Sequence, residues 1–110
     1  MREFSSGATR DTDETKIDYE GFLSPEVLER FGRYMTKHRI QADGKIRDSD
    51  NWQRGIPRDV YLKSLLRHVI EMWYIHRDGI PLGTRIDMED ALCAILFNAQ
   101  GYLYELIRGR

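Results

Sequence analysis

The sequence predicts an all-α fold: a small bundle of three main helices, completed by oligomerisation. Three observations carry this. Apolar residues recur at helical period in three separate stretches. Turn-forming clusters fall between those stretches. No segment alternates convincingly as a strand would. A length of 110 residues fits one domain, since domains typically run to about 100–150 residues.

Residues 1–17 are rich in Ser, Thr, Asp, Glu and Arg and read as a flexible N-terminal arm. Residues 18–110 read as a single helical domain whose packed region starts at Tyr19 and Phe22. The first long helix opens with Ser24 as N-cap and Pro25 in the first turn. Val27, Leu28, Phe31, Tyr34 and Met35 form its apolar stripe, and it ends near His38. Residues 40–56 read as a loop, with a turn at Asp43-Gly44. Trp52 stands among polar neighbours there, as a packing anchor that pins the loop or as a stacking surface. The second helix runs from Pro57 to about Arg77, with Tyr61, Leu62, Leu65, Leu66, Val69, Ile70, Met72 and Trp73 on its apolar arc. A second loop, 78–85, carries Gly79, Pro81 and Gly83. The third helix runs from about Asp87 to Ile107. Met88, Leu92, Ile95, Ala99, Tyr102 and Leu106 recur at spacings of 3 and 4 and predict a bundle seam.

Composition narrows the function. Seventeen basic and eighteen acidic residues give a net charge of −1, without the basic excess of a protein that grips a nucleic acid polymer by its phosphates. The single cysteine, Cys93, precludes an intrachain disulfide and suits a reducing compartment. No apolar run approaches the roughly 18 residues of a membrane span. The expected setting is the cytoplasm, including that of an infected cell if the source is viral.

Beside the apolar arc of the third helix lies a second stripe: Asp87, Asp90, Ala94, Asn98, Gly101 and Glu105. On the second helix, His68 and Glu71 share one face at i and i+3. Glu71, Asp87 and Asp90 on facing helices suit Mg²⁺ or Mn²⁺, hard cations that take carboxylate oxygens and bridge to phosphates. The same acids have structural readings. Asp87 and Asp90 favour the positive end of a helix dipole, and Glu71 is placed to pair with Arg67. Asn98, an amide in an apolar run, calls for a partner.

The order of segments resembles a phage-encoded family of small helical proteins described as dATP/dGTP diphosphohydrolase-like, related to the MazG-type nucleotide pyrophosphohydrolases. The matching pieces are SGATRD (6–11), DYEGFLSPEVLERF (18–31), SDNWQRGIP (49–57), YLKSLLRH (61–68) and EDALCAILFN (89–98). The resemblance implies a MazG-like bundle and Mg²⁺-dependent hydrolysis of a deoxynucleoside triphosphate to monophosphate and pyrophosphate. The MazG-type acidic pairs have their counterparts here in His68-x-x-Glu71 and Asp87-x-x-Asp90. Histidine replaces the first acid, and Ala91 stands where family members commonly carry histidine.

The leading expectation is therefore a nucleotide pyrophosphohydrolase. Glu71, Asp87 and Asp90 would be catalytic and, with His68, metal-ligating. Arg54, Lys63 and Arg67 would meet phosphates, Trp52 would stack on the base, and Asn51 or Asn98 would bond its edge. The alternative is a non-catalytic protein that binds or sequesters a nucleotide through an eroded metal site. A structural homo-oligomer without ligand is the third reading. The broad apolar faces of the second and third helices predict a homodimer or homotetramer in each case.

Overall fold

The helix starts follow from local chemistry. Ser24 Oγ accepts the Val27 N–H at 3.3 Å, and Pro25 occupies the first turn, so α2 spans Pro25–Lys37 after a single-turn α1 at Tyr19–Phe22. Pro57 precedes α3, Arg58–Asp78, which stops at Gly79. That residue has φ 71°, a left-handed conformation that glycine adopts without a Cβ penalty. Asp87 Oδ1 accepts the Asp90 N–H at 2.8 Å and caps α4, Met88–Ile107. The computed structural model describes residues 1–79 and 86–110. Most of the second loop expected from the sequence, with Pro81 and Gly83, lies outside the described residues.

These helices make an all-α bundle, extended to 60 × 36 × 26 Å. Among the described residues, no helix is long and apolar enough to cross a membrane. Besides an isolated antiparallel bridge between Ile40 and Ile46, the described residues depart from helix in an N-terminal antiparallel hairpin of two-residue strands, β1 (Arg2–Glu3) and β2 (Thr9–Arg10), with Arg2 opposite Arg10. It adds nothing to the core. Tyr19 and Phe22 are also exposed, so the packed region begins later than the sequence suggested, at Phe31.

The core consists of α4 and what packs on it. From α2, Tyr34 meets Cys93 and Ala94, flanked by Phe31 and Met35. At the end of that interface Arg30 bonds Glu89 and Asp90, both at 2.7 Å. From α3, Tyr61 covers Gly101 and its ring meets Phe97 edge-on at 5.9 Å. Arg58 lies over the Tyr102 ring at 6.0 Å, so α3 and α4 run antiparallel.

The inner face of α4 is the small and polar stripe rather than the predicted seam, of which Leu92, Ala99 and Leu106 are exposed and Met88, Ile95 and Tyr102 half-buried. Ala91, Ala94, Asn98, Gly101 and Glu105 are buried, whereas Leu92, Leu96, Leu103, Leu106 and Ile107 are exposed. The reason is distance between axes. Small side chains let α3 approach closely, and the Tyr61 ring fills the space that Gly101 leaves. Larger residues would hold the helices apart. On α3 the inward residues are likewise Tyr61, Leu65 and Val69, while Leu62, Leu66, Ile70 and Trp73 of the predicted arc are exposed.

A Cβ at position 101 would collide with Cε1, Cζ and the hydroxyl of Tyr61. Gly101→Ala is expected to destabilise the fold by about 1–3 kcal/mol, read as a lower urea midpoint at unchanged slope. Stability equal to wild type would contradict the close approach.

Candidate functional site

The end of α2 and the middle of α3 face one another across a cleft of about 490 Å³. Tyr34, Met35, His38 and Arg39 line one side, and Ser64 and His68 line the other. Phe97 and Asn98 of α4 form the floor. The segment Arg47–Trp52 closes the remaining side.

Each wall is fixed by identifiable bonds. The His38 ring stacks on Tyr34 with centroids 4.1 Å apart, and its Nδ1–H donates to the Tyr34 carbonyl at 2.9 Å. His68 Nδ1–H donates to Glu71 Oε2 at 3.0 Å. Asn98 donates its amide to the Ala94 carbonyl at 2.8 Å, which supplies the partner that a buried amide needs. Burial raises the Tyr34 phenol pKa above its ordinary value, and the nearby charges of Asp90 and Glu71 push in the same direction.

The Trp52 wall is fastened from below. Residues Asn51–Arg54 form a 3₁₀ turn, and the indole packs edge-on against Tyr104 at 4.9 Å and Phe97 at 6.2 Å. Beneath it Glu105, only 2 % exposed, accepts the Ile56 N–H at 2.9 Å and Arg110 Nε at 2.7 Å. The same guanidinium reaches the Gln53 carbonyl at 3.1 Å. A buried carboxylate is tolerated only when paired and hydrogen-bonded, and Glu105 is both. The Ile56 N–H, and after it Arg110, hold its carboxyl below the usual range against the opposing effect of burial.

The structure distributes the sequence candidates unevenly. Asn51, Trp52, His68 and Asn98 line the cleft together. Glu71 stands behind His68 as its hydrogen-bond partner. Asp87 serves as the N-cap of α4, and Asp90 Oδ1 receives Arg30. Among the described residues no three Asp, Glu, His or Cys side chains converge as ligands. Arg54 pairs with Asp48 at 2.9 Å, and Lys63 and Arg67 lie on exposed positions of α3 that do not line the cleft. Sequence reasoning missed Tyr34, His38, Arg39, Arg47 and Phe97. The usable signal was the basic density of residues 37–47, four Lys or Arg with His38 against one Asp. No family model, curated protein or solved structure matches the chain.

Glu105 sets a pH dependence of defined sign. Its folded pKa is depressed, so its stabilisation is complete above the ordinary glutamate value of about 4.3. It is lost as pH falls through the lower folded value. Glu105→Gln is expected to lower the melting temperature at neutral pH and to reduce the acid-side loss of stability. An acid limb identical to wild type would place that titration elsewhere.

Proposed function

We propose that the chain binds a nucleotide in the cleft between α2 and α3. The observation that carries this reading is the composition of one concave surface. The Trp52 and Phe97 aromatics, the Asn51 and Asn98 amides, and the Arg39 and Arg47 cations line the same space. An aromatic surface with a few placed polar groups suits a base, and guanidinium suits phosphate. The order of sequence segments, which resembles the dATP/dGTP diphosphohydrolase-like family, adds support for a deoxynucleoside triphosphate.

The second reading is Mg²⁺- or Mn²⁺-dependent hydrolysis of that nucleotide to monophosphate and pyrophosphate. One observation favours it: Glu71 is bonded at 3.0 Å to His68, which lines the cleft, so one of the expected acids stands directly behind its wall. Binding without turnover is the better-supported of the two. Asp87 and Asp90 are engaged in capping and in the Arg30 pair, and His68 occupies the place of the first acid.

The subunit is proposed to act as a homodimer or homotetramer. The exposed Leu92, Leu96, Leu103 and Leu106 give α4 an outward apolar face, and a second copy would take that face out of water.

Incubation with each dNTP and millimolar Mg²⁺ or Mn²⁺, with chromatographic separation of products, tests these readings. The expected result is retention of intact nucleotide by the protein. Pyrophosphate release would select the hydrolase, and absence of both would contradict the cleft assignment. Light scattering of the same samples at micromolar concentration should give a dimer or tetramer mass. A monomer would contradict the assembly.

A further inference from the structure

The Arg39 and Arg47 side chains carry an inference that deepens, and rests on, the nucleotide reading. Their two residues are held side by side by backbone. The Arg47 N–H donates to the Arg39 carbonyl at 2.7 Å, and Ile40 bridges Ile46 just beyond. The turn that joins them is closed by the Lys45 N–H on Asp43 Oδ1 at 3.0 Å. Arg39 Nε donates to the Arg47 carbonyl at 2.8 Å, which fixes the plane of its guanidinium and leaves the terminal nitrogens for another acceptor.

Like charges held on paired backbone positions repel one another unless an anion lies near them. Here, among the described residues, neither is in an ion pair, and the one acid lining the cleft, Asp48, is taken by Arg54 at 2.9 Å. The positive charge is local. Residues 37–47 are strongly basic, while the whole chain carries −1. Helix-end electrostatics account for Lys37, in the last turn of α2. They do not account for Arg47, which lies eight residues beyond Arg39 in the chain and lines the cleft with it.

We infer that Arg39 and Arg47 form the receptor for the phosphate end of the ligand, with the base directed to the Trp52 and Asn98 side of the same cleft. Planar guanidinium groups offer paired N–H donors that match phosphate oxygens. A polyphosphate would supply the negative charge that this pair lacks. The residues expected from sequence to meet phosphate, Arg54, Lys63 and Arg67, are replaced in that role.

Titration calorimetry with deoxyadenosine, dAMP, dATP and inorganic tripolyphosphate tests the assignment. The proteins are wild type, Arg47→Ala, Arg39→Ala and, as control, Arg33→Ala on an exposed face of α2. Wild type should bind in the order dATP, dAMP, deoxyadenosine, with dATP affinity falling as salt rises. Arg47→Ala and Arg39→Ala should each weaken dATP roughly tenfold or more and leave deoxyadenosine unchanged. Arg47→Ala removes no hydrogen bond that orders the turn, so it remains informative even if Arg39→Ala misfolds. Variants that keep wild-type dATP affinity would overturn the phosphate receptor while the nucleotide reading stands. Binding of tripolyphosphate that is lost in the variants, with no preference for nucleotides over it, would uphold the receptor and overturn the nucleotide reading. No binding of any probe to wild type would overturn both.

Discussion

The contact of Tyr61 with Gly101 governs the rest of the subunit. It lets α3 and α4 approach as closely as an aromatic ring laid on bare backbone permits, and it fixes which side of α4 faces inward. Once Gly101 is under Tyr61, the periodicity of the helix brings Ala94, Asn98 and Glu105 to the same side. Asn98 then becomes the floor of the cleft, and Glu105 becomes the buried anchor for the segment that carries Trp52. The site is a consequence of one helix rotation, and its parts are not independent.

The same rotation explains the outer surface. The residues that turn away from α3 are leucines, and on α3 the outward residues include Leu62, Leu66, Ile70 and Trp73. A subunit that used its bulkiest apolar residues internally would hold the helices further apart and lose the close seam. The chain instead spends small residues on the inner contact and presents the large ones. Those outward leucines are the face on which the proposed assembly of copies rests.

The helix positions were legible because each start is written locally: Ser24-Pro25, Pro57 and Asp87 all mark their helices within a residue or two. The face of α4 was not. Hydropathy points to the leucines, and nothing local shows that a tyrosine forty residues earlier fills the gap over Gly101. The return of Trp52 towards the helices was legible as a large aromatic in a polar loop. Its anchor was not, because Glu105 and Arg110 look like ordinary charges at a helix end. Trp52 and Asn98 stand out because each is an anomaly in its own segment, whereas Asn51 entered through the resemblance and His68 through its i, i+3 spacing with Glu71. Tyr34 was hidden in an apolar stripe, and Arg39 and Arg47 in a basic stretch. Their significance appears only when the turn at 41–45 folds them onto the same wall. Of the acidic candidates, capping claims Asp87 and the Arg30 pair claims Asp90.

The inner seam is tested most directly by proton NMR of the folded chain. Cross-relaxation from the Tyr61 ring protons should reach the Gly101 α-protons and the Phe97 ring. Cross-peaks from Tyr61 to Leu103 and Leu106, with none to Gly101, would show the leucine face turned inward and contradict the arrangement from which the cleft follows.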